Sequence, residues 1–213
     1  MKRALILSGG WPGHQPAAFA GILAASLLPR GIACDVETSL DSLADTARLS
    51  DYALIVPNWT MGQITKGQTQ GLVSAIRGGA GLAGIHGGMC DAFRGNTEYE
   101  WMTGGVFAGH PHVGDYTVRI RDTAHPVTAG LPPAFAYASE QYYMLVEPGM
   151  HILAEAGYAF DGRTVAMPVA WTKTWGAGRV FYCSLGHAPD EFSKFPDALE
   201  LVTRGFLWAA RAL

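Results

Sequence analysis

Cysteine is scarce in this chain of 213 residues, with Cys34, Cys90 and Cys183 the only three. An odd number at wide spacing excludes a disulfide framework and a zinc knuckle. Charge is thin as well: 15% of residues are charged, the net charge is −3, and the lysines and arginines are scattered. Nothing here grips a phosphate backbone or an acidic membrane surface, so neither nucleic acid nor membrane is expected as a partner. Long apolar runs are also missing. Met1-Lys2-Arg3 leads directly into Ala4-Leu5-Ile6-Leu7, too short for a secretory core or a membrane span, and a soluble cytoplasmic protein is the expectation. No Walker or G-x-G-x-x-G pattern follows that first run, so no nucleotide cofactor is expected.

What is present is 49% hydrophobic residues, enough to bury one sizeable core, and residues 1–213 read as a single domain. The first half alternates short apolar runs with helical patterns, the mark of a parallel sheet covered on both faces. Strands are predicted over Ala4–Ser8, Ala33–Thr38, Tyr52–Pro57 and Gly81–His86. Between the first two, Pro16 suits a first helical position and Phe19, Leu23 and Leu27 recur at helical spacing, which predicts a crossover helix. Thr65-Lys66-Gly67-Gln68 has the form of a capping box, and Gly78-Gly79 closes the helix that it opens. After Gly104 the chain turns β-rich: Asp115–Arg121, Gln141–Val146, Ile152–Glu155, Val165–Thr172 and Arg179–Ser184, the last two flanking a glycine turn in "KTWGAG". A final helix over Asp197–Ala210 has one apolar face. The fold class is therefore α/β, a three-layer sandwich on a mostly parallel central sheet, with extra β-rich segments in the second half.

In such sheets the ligand crevice lies beyond the carboxyl ends of the strands. The loops "GGWPGHQP", "NWTMGQIT" and "GGMCDAF" are thus expected on one rim, with "AGIHGG" forming an elbow at His86. Taken together, "GGWPGHQP", "GLAGIHGG", "MTGGVFAGHP", "RDTAHPVTAGLP", "SEQYY", "PVAWTKTWGAGRVFYCSLGH" and "GFLWAA" resemble the ThuA-like (trehalose utilisation) family over nearly the whole chain. The resemblance implies the class I glutamine amidotransferase-like (flavodoxin-like) fold and a carbohydrate context. In the wider amidotransferase fold a cysteine nucleophile occupies a G-x-C-x-G elbow. Here His86 stands at that position, and His187 of "SLGH" stands near the partner histidine's. An imidazole cannot easily form and release the thioester of glutamine hydrolysis, so amidotransfer is disfavoured. Cys90, one helical turn past His86, is the one rescue for a glutaminase, against its more ordinary role as a small buried hydrophobe.

The residues that could carry chemistry are His86, His187 and Glu140 as catalytic groups, with Trp11, His14, Trp59, Gly87, Gly88 and Tyr142 around a substrate. The residue before a proline is extended, so His110 and His112 of His110-Pro111-His112 share a face and could approach one metal ion. A zinc or related divalent ion on His86, His110 and His187, with Glu140 optional, would supply a Lewis acid or metal hydroxide. Without metal, the same set offers acid–base chemistry, Glu140 being tuned upward by burial. The leading function is an enzyme of carbohydrate metabolism, a hydrolase, lyase or isomerase acting on a small sugar or oxidised (keto) disaccharide. No paired carboxylates flank Glu140 for direct glycoside hydrolysis. The alternative is a non-catalytic sugar-binding or regulatory module that kept the fold. Apolar residues in the later loops make a homo-oligomer a further expectation.

Overall fold

The computed structural model describes residues 1–213, the side chain of Phe160 excepted. Its strands are β1 (Lys2–Gly10), β2 (Ile32–Glu37), β3 (Leu54–Thr60), β4 (Gly81–Ile85), β5 (Gly105–Ile120), β6 (Ala134–Val146), β7 (His151–Phe160), β8 (Arg163–Trp175) and β9 (Gly178–Cys183). The helices are α1 (Pro16–Leu27), α2 (Thr46–Leu49), α3 (Lys66–Gly78), α4 (Gly87–Cys90), α5 (Thr97–Thr103), α6 (Glu191–Lys194) and α7 (Pro196–Ala209). All nine strands join one sheet in the order β2-β1-β3-β4-β9-β8-β7-β5-β6.

Alternation along the strands sorts side chains between two faces. Ala4 and Ile6 of β1 point to the layer that holds Phe19 and Leu23 of α1 with Leu201 and Phe206 of α7, while Leu5 and Leu7 face Leu72 and Ile76 of α3. Each of these side chains is at most 2% exposed, and burying one the size of leucine is worth about 1.5–3 kcal/mol. The helices start where local chemistry directs. Pro16 opens α1, and Thr65 and Gln68 form the reciprocal capping box of α3.

The expectation of a mostly parallel sheet needs correction. Four of the eight strand pairings are parallel (β1 with β2, β1 with β3, β3 with β4, β4 with β9) and four are antiparallel. The β5–β6 and β7–β8 ladders are the longest, so most paired residues lie in the antiparallel half. The cause is the lack of crossover helices after Gly105: β5 with β6, and β7 with β8, follow one another directly and so pair as hairpins. Strands β5 and β6 also reach well beyond the predicted segments, to Gly105 and Ala134 at their starts. The β8–β9 hairpin turns through Gly176-Ala177, with Trp175 paired to Gly178 and Gly176 at a φ of 60° that glycine tolerates. It returns β9 parallel to β4, and the Ile85–Cys183 pair ends that ladder. His86 thereby leaves the sheet next to Ser184.

Candidate functional site

His86 caps the end of β4 with φ 47° and ψ −133°, a positive-φ backbone that costs a non-glycine residue about 1–3 kcal/mol. Contacts on every side hold it there. Its N–H donates to the Cys183 carbonyl (2.7 Å), its carbonyl accepts from the Tyr182 hydroxyl (2.7 Å), and its ring stacks on Tyr142 at 4.0 Å between centroids. The ring Nδ1 lies 2.9 Å from the Ser184 carbonyl. A carbonyl only accepts, so Nδ1 carries the proton and Nε2 of the neutral ring presents a lone pair.

That Nε2 meets two further groups. Nδ1 of His187, from the loop after β9, is 3.2 Å away, and Oε2 of Glu140, on β6, is 3.3 Å away; His187 Nδ1 and Glu140 Oε2 are 3.4 Å apart. His14, between β1 and α1, completes the group, with its Nδ1 at 2.9 Å from the Thr60 hydroxyl. One ligand atom from each of His14, His86, Glu140 and His187 lies within 4.8 Å of the others. Gly87 makes room for His14, since a Cβ there would stand 2.7 Å from that ring.

The electrostatics follow from burial and from the carboxylate. Burial holds the His86 ring below the ordinary histidine range. His14 is lowered to about 4, by burial first and then by its histidine neighbours. His187 moves the other way, because its hydrogen bond to Glu140 outweighs its burial. For Glu140, burial pushes upward, yet the hydrogen bond from His187 and the neighbouring His86 ring outweigh it and hold the carboxyl well below the carboxylate range. The expected upward tuning of Glu140 is thus reversed: burial is there, but the two imidazoles favour the charged form more strongly.

The recess bounded by His14, His86 and Asn58 measures about 10 Å³, room for one small species and not for a sugar ring. On the outer side of this recess Trp11, 44% exposed, sets its ring edge-on to His14 at 4.8 Å. A cleft of about 480 Å³ lies elsewhere, along Gln70, Arg94 and Glu98.

Residues 3–209 match the family model described as ThuA, trehalose utilisation. The chain belongs to the ThuA family. Among solved structures, a putative ThuA-like protein from Bacteroides uniformis is similar with a TM-score of 0.78 at 19% identity, over 98% of this chain and 91% of that one. One from Parabacteroides merdae gives 0.78 at 20% identity, over 98% and 90%. A β-galactosidase from Bacillus circulans sp. alkalophilus gives 0.64 at 14% identity, with 97% of this chain laid on 30% of that one. No curated protein matches the sequence.

Within this ThuA chain the other site candidates fall as follows. His110 is outside the four-residue group: its Nε2 is 3.5 Å from the second oxygen of Glu140, with 45% of its side chain exposed. His112 turns away to the Asp115 carbonyl at 3.4 Å, because the β5–β6 ladder shifts register between Gly109 and His112 and the two imidazoles no longer share a partner. Trp59 belongs to β3, half-buried, its ring packed over Gly9 and Gly62. Gly88 lies in α4 against the Asn58 backbone. Cys90 is buried at 5% exposure, and burial raises its thiol well above the ordinary range. Sequence reasoning missed Glu191. This buried carboxylate accepts from the Tyr137 hydroxyl (2.6 Å), the Ser139 hydroxyl (2.7 Å) and the His187 N–H (3.0 Å), tying the His187 loop to the strand that carries Glu140. Its position four residues after His187 in "SLGHAPDE" was the only local signal.

Among the described residues, no helix is long and apolar enough to cross a membrane.

Proposed function

We propose that this protein is an enzyme acting on a small sugar or an oxidised (keto) disaccharide, with His86, Glu140, His187 and His14 as the reacting centre and a divalent cation such as zinc as its cofactor. The observation that carries the reading is the triangle of His86 Nε2, His187 Nδ1 and Glu140 Oε2, with sides of 3.2, 3.3 and 3.4 Å. Ligand bonds of about 2.0–2.2 Å in tetrahedral array place donors roughly 3.3–3.6 Å apart, so these residues fit such an ion. Bound there, the ion supplies a Lewis acid for a carbonyl or hydroxyl oxygen.

The remaining steps belong to the chain. Ser184 fixes the His86 tautomer, as an outer partner of a ligating histidine does. Glu140 contributes negative charge that balances the cation. His110, its Nε2 3.5 Å from the second Glu140 oxygen, would serve at the mouth as a polar contact for a substrate hydroxyl. Trp11 offers an aromatic face to a sugar ring beside His14. The family description, trehalose utilisation, supports a carbohydrate substrate. Cys90, buried and protonated, does not support a glutaminase.

The test is turnover of keto-disaccharides by protein purified without a histidine tag, with metal content measured alongside. Turnover that needs a stoichiometric divalent ion and is lost in His86→Ala and His187→Ala is the expected result. Saccharide binding with no turnover under any metal would replace the enzyme with a binding module.

A further inference from the structure

A second aromatic site lies at the opposite end of the sheet. Trp175 closes β8 opposite Gly178, the first residue of β9, whereas the histidine cluster follows the last residue of that strand. At roughly 3.3 Å per residue, the two sites are about 20 Å apart. A groove of about 500 Å³ opens there, lined by Trp101, Trp175 and Trp208 together with Glu147, His151 and Lys173. Its volume is in the range of small-ligand sites.

Three features set this groove apart from ordinary surface. Trp101 is 61% exposed, and its ring is set edge-on against Trp175 at 5.4 Å. Lys173, its side chain 8% exposed, fixes the wall by donating from Nζ to the Trp101 carbonyl (2.6 Å) and to Glu147 (2.7 Å). The indole N–H of Trp175, a residue only 9% exposed, has no hydrogen-bond partner among the described residues. The polar groups of the groove are engaged: Lys173 pairs with Glu147, His151 lies 3.0 Å from Asp122, and the Arg77 and Arg179 guanidiniums lie over the Trp175 and Trp208 rings at 4.9 Å. A charged ligand would have to compete with these contacts. The exposed Trp101 indole can take the C–H face of a ring, and the polar groups at the edge still offer hydrogen bonds to hydroxyls. We infer that this groove is a second, non-catalytic binding site for an uncharged saccharide, separate from the histidine cluster.

The experiment follows the indole N–H signals by NMR while trehalose, maltose or cellobiose is added to the full chain. The expected result is movement of the Trp101 and Trp175 signals, in the original protein and in His86→Ala alike. Trp101→Ala should weaken that binding about tenfold, the scale of one lost stacking contact, and Trp101→Phe should restore part of it. Stationary Trp101 and Trp175 signals, or an affinity unchanged in Trp101→Ala, would overturn the proposal. Movement of Trp11 alone would place the sugar at the histidine cluster and also overturn it. Groove binding without any turnover would leave this site standing and count only against the proposed enzyme.

Discussion

Nε2 of His86 stands 3.2 Å from Nδ1 of His187, although 101 positions separate the two residues in the chain. The contact is built by β4 and β9 ending side by side, with Tyr182 and Ser184 holding the His86 backbone and ring from the β9 side. Removing either imidazole therefore leaves the sheet intact and opens the triangle. In His86→Ala, His187→Ala and Glu140→Gln, zinc or cobalt affinity measured by competition with a chelator should fall by more than about 100-fold, beyond what outer-partner changes produce. Affinity within threefold of the original in all three variants would remove the metal from the proposed function.

The histidines should titrate apart. His14, lowered to about 4, stays neutral through the physiological range, whereas His187 titrates above the ordinary histidine value through its bond to Glu140. The sign for stability follows. A histidine whose folded value lies below its unfolded one contributes fully above about pH 6.5, and that contribution is lost as pH falls toward the folded value. For His14 the window runs from about pH 6.5 down to about 4. Proton titration of metal-free protein by NMR, with His14→Ala to assign the signal, checks this; a His14 midpoint near 6.5 contradicts it.

Gly87→Ala tests whether His14 needs the close approach. The new Cβ would meet the His14 ring at 2.7 Å and the Thr60 methyl at 3.0 Å. Overpacking of this kind costs about 1–3 kcal/mol, and the ring must leave Thr60. Thermal unfolding should show that loss, and the His14 signal should shift toward an ordinary titration. An unchanged His14 signal would mean that the ring is held by something other than this fit.

Glu191→Ala leaves the Tyr137 and Ser139 hydroxyls and the His187 N–H without their shared acceptor. An abandoned buried donor costs about 1–3 kcal/mol. A stability loss of roughly 3 kcal/mol is expected by denaturant unfolding, together with weaker metal binding, because the His187 loop loses its tie to β6. Stability lost with metal affinity unchanged would confine Glu191 to the scaffold.

Cys90 should behave as an inert thiol. Burial raises it well above the ordinary range and raises Cys183 to about 12. In the native protein at pH 8 neither should react with iodoacetamide on the timescale of a denatured control, and Cys90→Ser should leave any turnover intact. Rapid native alkylation at Cys90 would reopen the glutaminase chemistry.

The sequence was most legible where structure is set locally. Pro16 at the start of α1, the Thr65–Gln68 capping box and the elbow at His86 each depend on a few adjacent residues, and all three are present. It was least legible where register between distant strands decides. "VFAGHPHVG" shows no clean alternation and contains a proline, so the first half of β5 was hidden, and with it the bulge that sends His110 and His112 to different partners. The charge state of Glu140 failed for a related reason. Burial is readable from an apolar neighbourhood, but the two imidazoles that outweigh it come from loops on the far side of the sheet order. Glu191 was silent because its three donors lie on β6 and in the His187 loop, contacts that no local pattern announces.

Strand β9 sits between β4 and β8, so it alone hydrogen-bonds the parallel half of the sheet to the antiparallel half. It is also synthesised after the other eight strands. Two partly built half-sheets must wait for it, each with an open edge toward the other, and long-range closure of this kind is slow. The histidine cluster cannot exist before that insertion, since His187 follows β9 directly. Assembly of the cluster therefore reports that the sheet has closed, and a damaged β9 would leave the four residues apart and two sheet edges open.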